Sequence, residues 1–330
     1  MNRQFLLIFL LLAAASLSLA LGQVSVGPAA LWNGLTGGDG AGALTVQILR
    51  GPRVATALLV GAAFGLSGSI FQSLLRNPLA SPDVMGFSAG SGLAILGALT
   101  INLAIPMPLI ASAGGLLTAI LVLALARPAR GHNPLEGAPA VTIVLVGIGI
   151  GFTAAAISSF LMTRLSGPQA AEAQRWLAGS LAARDWSHVL QLALIGAVLV
   201  IVLLPQIRNL RLLELGSELA TGLGANVKRA RLGLAATAVL LAAAAVAIAG
   251  PIAFVALMAP PLGARIARTA DVGGRLLAAA LTGAIIVMLA DLVARASLPG
   301  LQLPIGVMTG ILGAPYLLWL LSREIERGEL

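Results

Sequence analysis

Apolar residues fall in long segments that end at glycine, proline or a charged residue. Most segments approach the roughly 20 apolar residues that an α-helix needs to cross the hydrocarbon core of a bilayer. The pattern therefore predicts an all-α integral membrane protein, a polytopic bundle of about ten transmembrane helices. The ten segments are 5–21, 54–74, 85–104, 107–127, 140–163, 188–204, 231–250, 252–267, 275–296 and 304–321.

The positive charges between these segments predict the orientation of the bundle. With ten spans and a cytoplasmic N-terminus, 14 of the 20 lysine and arginine residues fall on the inner side. Cytoplasmic loops carry the excess of lysine and arginine, so both termini are expected to be cytoplasmic. The first segment has an alternative interpretation, because Arg3, the apolar run and Ser18-Leu19-Ala20 also resemble a signal peptide with its cleavage site.

The composition excludes several classes of protein. The chain has 330 residues, of which 58% are hydrophobic and 10% charged, with a mean hydropathy of +1.00. A soluble domain carries about 25% charged residues, so a soluble enzyme and a nucleic-acid-binding protein are both excluded. No polar stretch exceeds about 30 residues, which predicts a single domain over 1–330 with no soluble domain attached. Cysteine is absent, so disulfides, thiol catalysis and cysteine metal sites are excluded as well.

No motif indicates catalysis or cofactor binding by the chain itself. A phosphate-binding loop ending in Gly-Lys-Ser/Thr does not occur, and two histidines without an acidic cluster do not suggest a metal site. Gly86-Phe87-Ser88-Ala89-Gly90 matches the nucleophile elbow of hydrolases, but the elbow requires a strand before it and a nearby histidine and acid. We therefore expect no catalytic residue, no metal site and no cofactor in this chain.

Asp291 is the one acid deep within a predicted span. Carboxylates in the membrane are costly and often mark proton or ion paths, which would suit a proton-coupled secondary transporter. Arg295 follows four residues later, and this spacing places the two side chains on the same helix face. The spacing favours an ion pair near the outer surface over a proton site.

The longest inner loop, at about 205–231, contains a leucine pattern. Leu215, Leu219 and Leu223 recur every four residues, and glycines punctuate the run at positions 216, 222 and 224. This pattern predicts short amphipathic helices on the cytoplasmic face of the membrane. Such helices bind either lipid headgroups or a groove on a partner protein, and the mixed charge of the loop favours a partner.

Several motifs occur in a fixed order along nearly the whole chain: Arg50-Gly51-Pro52-Arg53, Arg76-Asn77-Pro78-Leu79-Ala80-Ser81-Pro82-Asp83, Trp176-Leu177-Ala178-Gly179-Ser180, Gly250-Pro251-Ile252-Ala253-Phe254-Val255, Leu303-Pro304-Ile305-Gly306-Val307 and Gly313-Ala314-Pro315. Together they resemble the FecCD-type permease subunits of ATP-driven (ABC) importers for iron–siderophore complexes and vitamin B12. Two positions depart from the family pattern. Pro260-Pro261 stands where the family usually has Pro-His, and Gln302 stands where many members have glutamate.

The resemblance implies roles for two groups of residues. The cytoplasmic loop would contact two ABC ATPase subunits, which bind the ATP and magnesium, and would couple their motion to the pore. Arginines at the outer face would dock a periplasmic or lipid-anchored substrate-binding protein. The coupling residues implied are Glu218, Leu219, Ala220, Leu223, Gly224 and Val227, and the docking residues implied are Arg50, Arg53 and Arg295.

The resemblance also implies an assembly and a cargo. The pore of this family forms between two permease chains, so a homodimer or a heterodimer is expected in the bacterial inner membrane. The expected cargo is a ferric siderophore, and the alternatives are vitamin B12, haem or another iron chelate. Besides these partners the chain would contact membrane lipid and no nucleic acid.

Overall fold

A computed structural model describes residues 3–22, 26–83, 85–126, 140–296 and 303–327, and these residues form helices joined by turns, with no strand among them. The helices are α1 Gln4–Ala20, α2 Pro28–Leu35, α3 Ala41–Leu44, α4 Gly51–Leu75, α5 Phe87–Thr100, α6 Met107–Leu125, α7 Ala140–Met162, α8 Gly167–Leu177, α9 Trp186–Glu214, α10 Ser217–Gly222, α11 Val227–Ala249, α12 Val255–Ala267, α13 Val272–Ala296 and α14 Ile305–Arg327. A π-helical turn, Thr45–Arg50, joins α3 to α4.

Six helices in the described part of the chain are long and apolar enough to cross a membrane. They are Ala41–Leu75, Met107–Leu125, Thr142–Met162, Trp186–Glu214, Val227–Ala249 and Val272–Ala296. Four shorter apolar helices, α1, α5, α12 and the Ile305–Leu320 part of α14, accompany them. Each of the ten apolar segments of the sequence therefore overlaps one of these helices.

The centre of the bundle is the contact between α4 and α13, where small residues let the two backbones touch. A methyl group added at Gly65 would lie 2.1 Å from the carbonyl oxygen of Ala279, and one at Gly61 would lie 2.3 Å from that of Gly283. An apolar side chain gains no free energy by moving from lipid into a contact between helices. Close packing of small residues is therefore a main source of helix association in membranes. The four-residue spacing of Gly61 and Gly65 is thus a packing motif.

Helix α12 contains Pro260-Pro261, which stands where the family usually has Pro-His. Pro261 has no N–H, so it leaves the carbonyl of Leu257, four residues earlier, without its helical partner. The side-chain amide of Gln72 on α4 donates to that carbonyl at 3.0 Å. A neighbouring helix thereby satisfies the backbone group that the proline frees, as membrane helices require.

Helix α9 extends ten residues beyond the predicted segment 188–204. The expectation that the loop begins at Pro205 was wrong, because α9 continues through this proline to Glu214. The side chain of Gln206 donates to the Val202 carbonyl at 2.9 Å and to Thr237 Oγ1 on α11 at 3.0 Å, which adds polar contacts at this turn. The helices α2, α3 and α8 were also not predicted, because they are short or polar.

The start of α1, the end of α14 and helix α10 lie at the same end of the bundle, named here the coupling end. Gln4 lines a cavity together with residues 267–271 of the turn between α12 and α13. Asp271 in that turn contacts Arg211 near the end of α9. The guanidinium of Arg265, at the end of α12, stacks 4.6 Å from the ring centre of Trp319 on α14.

Candidate functional site

Helix α10 is a short exposed helix bounded by two glycines with positive φ angles. Gly216 (φ 112°) precedes it and Gly224 (φ 83°) follows it. Two hydrogen bonds, from Ala225 N to Ala220 O and from Gly224 N to Thr221 O, both at 2.9 Å, close the C-terminus. This pair of bonds is the Schellman motif, which needs a left-handed residue at the position of Gly224. The motif fixes where the helix ends and where the chain turns into α11.

The side chains of this region divide into an exposed set and a buried set. Leu219 is 61% exposed, and Leu215 and Leu223 are exposed to a similar degree. Ala220 is fully buried and Val227 nearly so, and both belong to the apolar core of the bundle. Of the six coupling residues implied by the sequence, Glu218, Leu219, Leu223 and Gly224 are exposed, and Ala220 and Val227 hold the segment to the bundle. Only Leu219 lies within α10, because Leu215 is the C-cap of α9 and Leu223 is the C-cap of α10. We call these three exposed leucines the leucine ridge, and exposed apolar side chains of this kind suit a groove on a partner.

Asp271 fixes the turn between α12 and α13, at the coupling end of the bundle. Its carboxylate accepts from the backbone N–H of Gly274 at 3.0 Å and from the guanidinium of Arg211 at 2.5 Å. The Gly274 N–H, followed by the charge of Arg211, holds the pKa of Asp271 below its usual value. Asp271 therefore stays ionised and caps the start of α13 at physiological pH.

The opposite end of the bundle, named here the arginine end, contains a buried ion pair between α4 and α13. Arg53 binds both carboxylate oxygens of Asp291, with Nε at 3.0 and 2.9 Å and Nη2 at 2.8 Å. Arg295 Nε lies 3.5 Å from Asp291 Oδ2. The ion-pair interpretation of Asp291 is confirmed, and the structure adds Arg53 as its main partner. Asp291 is 1% exposed, so this pair is held away from solvent.

The other two arginines of this end bind the C-terminus of α1. Arg50 Nη1 donates to the carbonyls of Leu19 at 2.7 Å and Ala20 at 2.8 Å. Arg295 Nη2 donates to the carbonyl of Ser18 and, at 2.7 Å, to its hydroxyl. The last carbonyls of a helix lack intrahelical partners, and cations at that end are favourable. Arg50 and Arg295 are each only 6% exposed, so the structure gives them internal partners, and Arg53 is more accessible.

The docking role inferred for these arginines stays a prediction, and Gln302 lies outside the described residues. Sequence reasoning paired Asp291 with Arg295, which lies one turn away. It could not find the pairing of Asp291 with Arg53, because the two residues are 238 positions apart and no local pattern connects them.

Asp185 caps the start of α9. Its carboxylate accepts from the backbone N–H groups of Ser187 at 3.0 Å and His188 at 3.2 Å. Hydrogen bonds from the Ser187 hydroxyl, and then from His188, hold the pKa of Asp185 far below its usual value. The next residue, Trp186, donates from its indole nitrogen to Gln47 O at 2.9 Å and so ties α9 to the π-helical turn before α4.

The described residues form a helical bundle with several apolar helices, an exposed short helix at one end and a buried charge cluster at the other, as in a multi-pass membrane protein. The model of the FecCD transport family matches residues 8–323. The chain belongs to this family, whose members are permease subunits of ABC importers with the ATPase in a separate subunit. The family resemblance of the sequence motifs is confirmed.

Individual relatives and a solved structure agree. The chain is 38% identical over 329 residues to the Fe(3+)-citrate import system permease protein YfmE of Bacillus subtilis, covering 98% of this chain and 95% of that one. It is 40% identical over 294 residues to the ferric enterobactin transport system permease protein FepG of Escherichia coli, covering 88% and 86%. A solved structure of a metal-chelate type ABC transporter in an inward-facing conformation has a TM-score of 0.81 and 27% identity, covering 97% of this chain and 98% of that one.

Proposed function

We propose that this chain is a permease subunit that carries a ferric siderophore across the bacterial inner membrane. It works with a second permease chain, two ABC ATPase subunits and a substrate-binding protein. The observation that carries the proposal is the exposed leucine ridge in and beside α10, found in a chain that matches ferric-chelate permeases over most of its length. Vitamin B12, haem and other iron chelates are the alternative cargoes.

In the proposed topology ten helices cross the membrane and both termini are cytoplasmic. The coupling end supports this arrangement, because α10, the start of α1 and the end of α14 lie there together. Helix α1 is a retained span in this proposal. Its support is that Leu7 is buried, α1 packs on α13, and its last carbonyls accept hydrogen bonds from Arg50 and Arg295.

The leucine ridge has a mechanical role in this proposal. Leu215, Leu219 and Leu223 insert into a groove on the ATPase, and Glu218 adds polar contacts at its edge. When the two ATPase subunits bind ATP, they close against each other and displace α10. This displacement switches the transport path through the membrane between outward and inward access. The chain makes and breaks no covalent bond, and ATP and magnesium stay on the ATPase.

The test replaces the ridge while leaving the bundle intact. Glu218→Ala combined with Leu219→Asp is expected to abolish ATP-driven uptake in the reconstituted complex, because it removes apolar area at the contact. Gly224→Val is expected to weaken coupling through its φ of 83°, which a β-branched residue adopts only with strain. Gly222→Ala is the matched control, since Gly222 has open space around it and no positive φ. Normal uptake by the first two variants would refute the role of the ridge.

At the arginine end we propose docking of the substrate-binding protein, with Arg53 as the most accessible of the three arginines. Exposed charge pairs add about 1 kcal/mol or less each, but they speed encounter and fix register. Arg53→Gln combined with Asp291→Asn removes the most accessible of the three charges without leaving the Asp291 carboxylate buried and unpaired. This variant is expected to weaken docking at low salt, and the difference should shrink at high salt. Arg175→Gln, at an exposed arginine of α8, is the control. Equal docking affinity of the double variant and this control at low salt would remove the role.

A further inference from the structure

The end of α9, immediately before the coupling helix α10, is held by an arginine from α4 and another from α13. Arg76, the C-cap of α4, donates from Nη2 to the carbonyls of Leu213 at 2.9 Å and Glu214 at 3.2 Å. Arg275, in the first turn of α13, binds the carboxylate of Glu214. We call Arg76, Arg275 and Glu214 the clamp.

Arg76 adds a side-chain donor at the C-terminus of α9. The last four carbonyls of a helix have no partner within its regular hydrogen-bond pattern, and Arg76 donates to two of those on α9, of which Leu213 also accepts from the backbone N–H of Gly216 at 3.2 Å. Its positive charge also interacts favourably with the C-terminal end of the helix dipole. Arg76 reaches this position from a left-handed backbone conformation (φ 48°), which is uncommon for a residue with a side chain. Glu214 and Arg275 are both partly buried, so their pairing is less screened than a surface pair.

The two helices that carry these arginines form the most tightly joined pair of the bundle. Backbone contacts at Gly61, Gly65 and Gly283 leave no space for a methyl group between α4 and α13. The Arg53–Asp291 pair fastens the same two helices at the arginine end. A force applied to one of them at the coupling end is therefore applied to both along their length, because close-packed interiors transmit strain.

The corner beside the clamp is open. A cavity of about 410 Å³ lies next to it, lined among others by Ser73, Asn77 and Pro261. The end of α9 also packs on the apolar core through Leu213, and Arg211 pairs with the turn before α13. Beside this cavity the clamp is the polar connection that joins the end of α9 to both α4 and α13.

We propose that Arg76 and the Arg275–Glu214 pair are positioning residues that transmit the displacement of α10 to the α4–α13 pair. The inference rests on the proposed function and names the route by which ATPase motion reaches the membrane helices. Without the clamp, α10 still docks on the ATPase, but its displacement is taken up by movement of the end of α9.

The experiment measures substrate taken up per ATP hydrolysed by the full complex in proteoliposomes. Glu214→Arg and Arg275→Glu are each expected to lower this ratio by about fivefold or more, as expected for coupled contacting residues, with ATPase binding and basal hydrolysis retained. The double exchange, which restores an opposite-charge pair, is expected to recover at least half of the ratio. Arg208→Glu is the matched control, because it reverses the charge of an exposed arginine in the last third of α9 that lies outside the clamp.

Two results would overturn the inference. The first is a single variant whose ratio of substrate to ATP equals that of the unmodified complex. The second is a double exchange whose ratio stays as low as that of the single variants. If charge reversal prevents assembly, Arg76→Gln replaces it, and an unchanged ratio in that variant refutes the clamp. A wild-type complex that binds no ATPase or shows no ATP-driven uptake would instead refute the proposed function, so the two failures are distinguishable.

Discussion

Gly65→Ala tests whether the contact between α4 and α13 is as close as the structure places it. The added methyl carbon would lie 2.1 Å from the Ala279 carbonyl oxygen, whereas ordinary van der Waals contact begins at 3.4 Å. The difference, 3.4 minus 2.1, means that the helices must separate locally by about 1.3 Å. The obstructing atoms belong to the backbone of a helix, so no side chain can rotate away. Overpacking of this kind costs about 1–3 kcal/mol.

The matched control is Gly97→Ala on α5, where an added methyl group has nothing within 4 Å. Alanine there is expected to be neutral or to stabilise by up to about 1 kcal/mol through helix propensity. The assay is equilibrium unfolding in mixed micelles with increasing SDS, followed by the fluorescence of the four tryptophans. The free energy of unfolding of Gly65→Ala should fall below that of Gly97→Ala by about 2 kcal/mol or more. Equal stability of the two variants would show that α4 and α13 do not touch through their backbones.

Three further predictions concern single residues. Asp291→Asn is expected to lower the free energy of unfolding by about 3 kcal/mol, because it leaves Arg53 without a buried counter-charge, while the folded fraction still transports. Complete loss of uptake by folded Asp291→Asn protein would revive the proton-coupled alternative. Asp185→Ala is expected to lower the melting temperature equally at pH 8 and pH 9: a carboxyl whose folded pKa is depressed contributes its stability above its unfolded pKa of about 3.9 and loses it only as the pH falls below that value. A smaller effect at pH 8 than at pH 9 would contradict this. Arg231→Ala removes the 2.8 Å hydrogen bond to Ser217 at the start of α10, and faster hydrogen exchange of α10 amides is the expected readout.

The apolar segments predicted the helices well for a physical reason. In lipid every backbone polar group must be satisfied within its own segment, so a long apolar run has little choice but to become a helix. The prediction failed where that constraint ends. Residues 205–214 continue α9 although Pro205 and several charges suggest a loop, because partners on other helices, Gln206 to Thr237 and Arg76 to Leu213, stabilise them.

The candidate site was predicted in part. The four-residue spacing of Leu215, Leu219 and Leu223 indicated an exposed amphipathic helix, and these leucines are exposed. The sequence did not reveal that Arg76 and Arg275 bind the end of α9, because the partners are more than 60 residues apart along the chain. Polar contacts between residues far apart in the sequence leave no periodic pattern in it, so hydropathy and residue spacing cannot predict them.

The capping of α1 by Arg50 and Arg295 has a consequence for how the protein is made. In the proposed topology helix α1 enters the membrane first during synthesis, yet one of the two arginines that bind its last carbonyls lies near the C-terminal end of α13. The N-terminal helix therefore cannot reach its final position until most of the chain has been translated and inserted. Until then its carbonyls at the membrane surface remain hydrated and its packing face stays open to other helices or to the insertion machinery. Closure of the bundle is thus a late, long-range event that depends on α13, and a nascent chain truncated before residue 295 would keep its first helix loosely held.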